Sequence, residues 1–307
     1  MPTGFLTHPL CKAHEMGNWH PECPARLSAI QDQLIASGLA PFLEQIDAPQ
    51  ASLSAIVRAH DPEYVDHLRN RVPERGYFPL DPDTSMNPSS WKAALHAAGA
   101  VVEATDRVIG GALANAFCAV RPPGHHARPG TAMGFCLLNN VAIGALHALE
   151  VHGLERVAIV DFDVHHGNGT EEIFAGDERV LMASFFQHPF YPYSGTENPA
   201  KNMVNVPLPA GTNGEKVRAV VEEIWMPRLE QFEPQMILVS AGFDAHREDD
   251  LGQMSLVEAD YAYMTARLLE LAARHCGGRL VSSLEGGYNL SALARSVVAH
   301  LRVLARL

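Results

Sequence analysis

The sequence lacks several features that would each have marked a class of protein. No apolar run approaches the roughly 18 residues that a membrane-spanning helix requires. Basic residues are scarce, with 23 Lys and Arg against 35 Asp and Glu, a formal charge of −12. So acidic a chain repels phosphate backbones, which argues against nucleic acid as a partner. The five cysteines (Cys11, Cys23, Cys118, Cys136, Cys276) are odd in number and form no C-x-x-C pair. That excludes a zinc ribbon and a closed disulfide framework and fits a reducing compartment. The opening stretch, MPTGFLTHPLCKAHE, has no basic segment followed by an apolar one, so no export signal is expected and a cytoplasmic location is. Low-complexity tracts, internal repeats and flexible linkers are missing too, and the longest loop-like stretch, Pro79 to Ser90, is too short to divide domains. With 307 residues the chain can bury a full core without disulfide or metal staples. One domain over 1–307 is expected.

What is present is an alternation of helical periods with short apolar runs. Helices are predicted over Pro24–Ser37 (stopped by Gly38), Ser90–Ile109, Leu138–Glu150, Gly214–Gln231, Ser255–His275 and Ser291–Leu307. The fifth opens on an apparent capping box, Ser255 with Glu258 three residues on. Pro227 should kink the fourth. Between them, Ala116–Val120, Val157–Asp163, Val180–Phe185, Met236–Ala241 and Leu280–Leu284 are almost continuously apolar. Strands covered on both faces have this composition, as in a parallel sheet between helices. The expected fold class is therefore α/β, an open, mainly parallel sheet flanked by helices. Each run leads into a polar or Gly-rich segment: RPPGHH, DVHHGNG, QHPFYPYSG, GFDAHRED and EGGYN. Ligands of open α/β sheets bind beyond the carboxyl ends of the strands, so the chemistry is expected on these five loops.

Histidine is unusually frequent, 16 in all, and its placement is informative. In Asp161-Phe162-Asp163-Val164-His165, alternation at a strand end would send Asp161, Asp163 and His165 to one side. Asp244 ends another strand. Carboxylate and imidazole together suit a divalent metal such as zinc or iron, and three protein ligands (Asp163, His165, Asp244) leave a coordination position open for chemistry. In Arg121-Pro122-Pro123-Gly124-His125-His126 the adjacent imidazoles repel when both are charged, so at least one should be neutral near pH 7 and available as a general base. In Glu285-Gly286-Gly287-Tyr288-Asn289 the glycines let the backbone approach a ligand and present a phenol that could stabilise a developing oxyanion.

Together these segments resemble the zinc-dependent histone deacetylase family of the arginase/deacetylase superfamily, most of all its class II branch and bacterial homologues. The likeness runs from His20-Pro21-Glu22-Cys23-Pro24-Ala25-Arg26-Leu27 through RPPGHHA, Met133-Gly134-Phe135-Cys136-Leu137-Leu138-Asn139-Asn140, DFDVHHGNG, Asn205-Val206-Pro207-Leu208 and AGFDAH to LEGGYNL. The resemblance implies a metal-dependent deacetylase removing acetyl or other acyl groups from the ε-amine of lysine, in an acyl-lysine peptide or small acylated amine. It implies one Zn²⁺ on Asp163, His165 and Asp244, with Fe²⁺ as an alternative. His126 would be general base and then acid, His125 an electrostatic assistant oriented by Asp161, and Tyr288 the donor to the acyl oxygen. Asn168 falls where some relatives place a second Asp, and a neutral amide there favours the neutral base. A structural K⁺ is implied at Asp161, Asp163, His165, Ser184 and Phe185. Phe135 would form one channel wall and Phe190 or Tyr191 the other, with Asp83 at the rim.

Three other readings stand beside this one. A dinuclear arginase-type hydrolase would need a second D-x-D, where this chain has Asp244-Ala245-His246. An acetylpolyamine amidohydrolase would use the same chemistry, but polyamine-selective relatives carry a gatekeeping glutamate at the position of Leu251. A catalytically weak acyl-lysine reader would lack the tyrosine, which is retained here as Tyr288. Nothing in the sequence sets the oligomeric state.

Overall fold

A computed structural model describes all 307 residues. It contains strands β1 (Thr3–Thr7), β2 (Leu43–Asp47), β3 (Phe78–Pro79), β4 (Ser85–Met86), β5 (Asn115–Cys118), β6 (Val157–Asp161), β7 (Val180–Gln187), β8 (Met203–Leu208), β9 (Met236–Ala241) and β10 (Leu280–Leu284). β3 and β4 pair as a small antiparallel ribbon. The other eight form one sheet in the order β2-β1-β5-β10-β9-β6-β7-β8, and every pairing in it is parallel. β6, β7, β9 and β10 are buried at every position, which accounts for their mostly apolar composition.

The five strands expected from sequence are the five contiguous ones β5-β10-β9-β6-β7, so their carboxyl ends lie side by side. Three strands of this sheet, and the β3–β4 ribbon, were not expected. β2, with sequence LEQID, is largely solvent-facing at the sheet edge, and its polar residues hide the strand signal. β8 at the opposite edge is interrupted by Asn205 and Pro207. β1 lies between β2 and β5 and is only five residues long.

Helices flank the sheet in two packed groups: 25–36 with 258–275 and 290–304, and 90–109 with 140–150. Ser90–Ile109 matches its expected bounds. Two caps set the entry to functional loops. Asn139 accepts a hydrogen bond from the Ala142 N–H and Asn289 from the Ala292 N–H, both at 3.0 Å, so the last helix starts at Leu290, not Ser291. Near Pro227 the helix passes through a π turn at Val221–Trp225 before resuming at Met226–Phe232, which widens the ladder just ahead of the residue that lacks an N–H. One local expectation is corrected: the capping box at Ser255 and Glu258 is absent. Ser255 bridges to Asn213 as a strand-like residue, and the helix is opened by the Asp260 carboxylate accepting the Val257 N–H at 3.0 Å. A continuous cluster of 84 buried residues forms the core, and no helix is long and apolar enough to cross a membrane.

Candidate active site

β6 ends at Asp161, so strand alternation is not what gathers the D-x-D-x-H residues. Successive turns do it: the Asp163 N–H donates to Asp161 Oδ1 at 3.0 Å and the His165 N–H to Asp163 Oδ1 at 2.8 Å, each side chain capturing the main chain two residues on. Asp244 arrives from the loop after β9, held by the Val164 N–H, which donates to its Oδ1 at 2.9 Å. His165 Nδ1 then lies 2.9 Å from Asp163 Oδ1 and 3.2 Å from Asp244 Oδ2. One ligand-type atom from each of Asp163, His165 and Asp244 falls within 4.8 Å of the others.

Glycine makes this approach sterically possible. A Cβ on Gly286 would sit 1.9 Å from Asp244 Oδ2, and one on Gly242 would sit 2.1 Å from Asp163 Oδ2. The Gly286 N–H donates to Asp163 Oδ2 at 2.8 Å, but Asp244 Oδ2 is buried and receives no hydrogen bond. Burial, and after it the charge of Asp163, push the Asp244 carboxyl upward. Burial works against a charged His165, yet the two carboxylates outweigh it and raise the imidazole to about 10. A site that draws a proton onto histidine between two buried carboxylates is short of positive charge. An orphaned oxygen, a second carboxylate and an imidazole make a donor set that fits a divalent cation.

The histidine pair follows β5. His125 Nδ1–H donates to Asp161 Oδ2 at 2.9 Å, and its Nε2 faces Asp163 Oδ2 at 3.8 Å. Burial disfavours its charge, but Asp161 and Asp163 prevail and raise it to about 10. His126 stacks at a tilt with ring centroids 4.0 Å away. Burial, followed by the charges of His125 and His165, pushes His126 well below its ordinary value. Its Nδ1–H donates to Oδ1 of Asn168 at 2.8 Å, which leaves Nε2 with a free lone pair. Tyr288 has its phenol pushed well above the usual range by burial and by Asp244, so the hydroxyl keeps its proton and can donate.

His126, His165 and Tyr288 line a cavity of about 280 Å³. All five sequence-predicted channel residues also line it: Phe135, Phe190, Tyr191, Leu251 and Asp83. The Phe135 ring meets Tyr288 edge-on at 5.9 Å, Phe190 stacks on His165 at 5.4 Å, and Tyr191 meets His126 edge-on at 5.2 Å. Phe190 and Tyr191 therefore both contribute to one wall. Asp250 and Gln253 join the lining without having been singled out from sequence. Asp161 and Ser184 face each other in the β6–β7 register, with Phe185 next along the strand.

The larger omission is a buried charge network behind the site. Glu22 is fully buried and receives both Arg26 and Arg121: Arg26 donates at 3.1 Å and Arg121 Nη2 at 2.6 Å, with a further bond from Arg121 Nε. Arg26 also donates to the Gly287 carbonyl at 2.6 Å and the Glu285 carbonyl at 2.5 Å, fixing the loop that carries Tyr288. The Glu285 carboxylate accepts the Gly124 and His125 N–H groups at 2.6 and 3.1 Å. Burial pushes it up to about 7 against the pull of His125. All four charged residues lie in motifs recognised from sequence. The motifs placed them near the site, but a buried charge must be paired, and nothing in the sequence showed that these four are buried and pair with one another rather than with water.

A sheet with its carboxylates, imidazoles and phenol gathered beyond these strand ends defines a deacetylase-type hydrolase. The chain belongs to the histone deacetylase family: the family model for the histone deacetylase domain matches residues 20–304. It is 40% identical to a probable deacetylase of Archaeoglobus fulgidus, covering 94% of this chain and 82% of the relative. It is 36% identical to the histone deacetylase-like amidohydrolase of Pseudomonas aeruginosa, again over 94% and 82%. The crystal structure of the HDA15 HD domain superposes with a TM-score of 0.94 at 36% identity, covering 99% of this chain and 90% of that one.

Proposed function

We propose that the chain is a zinc-dependent amidohydrolase that removes acetyl or other acyl groups from the ε-amine of lysine. The observation that carries this reading is the convergence of Asp163, His165 and Asp244, with the unpartnered Asp244 Oδ2, at the floor of an aromatic slot beside a neutral histidine. Those three residues would hold one Zn²⁺, for which Fe²⁺ is the alternative. When bound, such an ion polarises the amide carbonyl and lowers the pKa of a coordinated water. His126, kept neutral and oriented by Asn168, takes the proton of the attacking water at Nε2 and returns it to the departing amine. The charged His125, fixed by Asp161, holds positive potential beside it. Tyr288 donates from its phenol to the acyl oxygen as charge develops there. Phe135, Phe190, Tyr191 and Leu251 exclude water around an extended aliphatic chain, and Asp83 receives the substrate at the mouth.

A structural K⁺ is assigned to Asp161, Asp163, His165, Ser184 and Phe185, supported by the Asp161–Ser184 adjacency. The continuous core supports one catalytic domain over 1–307. Free cysteines throughout support a cytoplasmic enzyme, and the negative charge supports a substrate other than nucleic acid. A second reading, an acylated polyamine as substrate, is favoured by the mouth of the slot, where Asp83 and Asp250 both face the cavity. The retained Tyr288 and full ligand set count against a silent acyl-lysine reader.

The deciding experiment is a panel of acetyl-lysine peptides, longer acyl-lysines and acetylated polyamines on metal-quantified protein. One zinc per chain with the best kcat/KM on an acyl-lysine peptide is expected. A strong preference for polyamines moves the assignment to the second reading, and no turnover with zinc bound overturns both.

A further inference from the structure

Resting on the reading of Tyr288 as the donor to the acyl oxygen, one buried carboxylate outside the metal cluster has a defined task. No protein group hydrogen-bonds to the Tyr288 phenol. Its ring is held by the Phe135 edge and by the Arg26 guanidinium 5.0 Å from its centroid, neither of which fixes the height of the hydroxyl above the slot floor. That height is set by the main chain from which the side chain projects.

Asp249 sets that main chain. It is 5% exposed and forms no ion pair, so its charge is met by N–H groups alone. Oδ2 accepts the Tyr288 N–H at 2.6 Å and the Asn289 N–H at 2.9 Å, while Oδ1 accepts the Leu251 N–H at 3.0 Å. The Asp249 N–H donates in turn to the His246 carbonyl at 2.9 Å, which anchors the carboxylate to the loop carrying Asp244. Asn289 caps the helix Leu290–Leu304, whose first turn holds no acidic residue. Asp249 thus supplies from another loop the negative charge that a helix N-terminus favours. A single side chain ties the phenol-bearing backbone, the channel wall at Leu251 and the Asp244 loop together.

We propose that Asp249 is the positioning residue for Tyr288, its carboxylate clamping the Tyr288–Asn289 main chain so that the phenol meets the acyl oxygen while Leu251 stays in register across the slot. Misplacement of a catalytic group by about 1 Å can cost up to about 100-fold in rate. Loss of this clamp should therefore appear in turnover before it appears in substrate affinity.

A double-mutant cycle on zinc-loaded protein tests this, with Asp249→Asn placed in the parent and in the Tyr288→Phe background. Asparagine keeps one acceptor oxygen but turns an N–H₂ toward a main-chain donor. In the parent it is expected to lower kcat by about 10-fold, with KM changed by less than about twofold. In the Tyr288→Phe background the same change should lower kcat by less than about twofold, because the group it positions is gone. Equal losses in both backgrounds, or a loss confined to KM, overturn the proposal and leave Asp249 a merely structural residue. If the asparagine variant does not accumulate, Asp249→Ser reads out the same cycle. Full kcat in Tyr288→Phe alone would remove the reading beneath the proposal, and the proposal with it, before Asp249 is altered.

Discussion

The side-chain oxygen of Asn168 stands 2.8 Å from Nδ1 of His126, and it is an amide oxygen where a carboxylate would also fit. An amide fixes the tautomer without adding negative charge, while burial and the nearby charges of His125 and His165 keep His126 low. Asn168→Asp places an anion at the same distance and should stabilise the imidazolium. The sign is upward: the pKa on the acidic limb of the kcat/KM profile should rise by about one unit or more. An acidic limb unchanged from the parent would show that His126 is not the group titrating there.

Tyr288→Phe removes one hydroxyl and leaves the ring against Phe135 and Arg26. If Tyr288 has its proposed role, deleting this one oxyanion donor lowers kcat by roughly 10²–10³. Zinc content and thermal unfolding midpoint should stay close to the parent, since the phenol oxygen makes no protein hydrogen bond. Turnover within a fewfold of the parent would take Tyr288 out of the chemistry.

Two buried carboxylates face one imidazole at 2.9 and 3.2 Å, an arrangement that the proposed cation would stabilise. Asp244→Asn removes one of the two charges. In metal-free protein this variant should unfold no more easily than the parent, because it relieves repulsion between Asp163 and residue 244. On addition of zinc, the parent should gain stability as the logarithm of free zinc over its dissociation constant, and the variant should gain much less. The comparison is a pair of zinc titrations followed by thermal unfolding. Equal stabilisation of both proteins by zinc would place the metal elsewhere.

The sheet centre and the gathering of the polar loops beyond it were legible in the sequence for one physical reason. Strands covered on both faces are mostly apolar, so β6, β7, β9 and β10 stood out, and each delivers its polar loop directly at its carboxyl end. Edge strands such as β2 face solvent and carry ordinary polar residues, so the same criterion misses them. At the site, the convergence of Asp163, His165 and Asp244 was legible because carboxylates and an imidazole set just beyond strand ends form a pattern that is rare and specific in type. Glu22, Arg26, Arg121 and Glu285 were not, because a charge in a sequence gives no sign of whether water or another charge will solvate it. Asp161 was found by proximity to its motif, whereas Asp249, in the charged run Arg247-Glu248-Asp249-Asp250, was indistinguishable from a solvated acid until its three N–H partners were seen.

The Glu22 network makes acid stability the last test. Burial alone would raise the Glu22 carboxyl, but Arg121 and Arg26 overcome it and hold the group at about 2. A carboxyl depressed in the folded state contributes stability that is complete above its unfolded value, near 4.5, and is lost as pH falls toward 2. The metal-free parent should therefore lose unfolding free energy steeply between pH 4.5 and 2. Glu22→Gln leaves two buried guanidinium groups without their anion and is expected to cost roughly 3–5 kcal/mol at neutral pH. The same variant cannot lose what it no longer has, so its stability should fall less steeply through that acid window. Urea unfolding of both proteins at neutral pH and across the acid range measures the two effects together. Parallel curves for parent and variant would mean that Glu22 is not held ionised by its arginines, and that the loop carrying Tyr288 is anchored by some other contact.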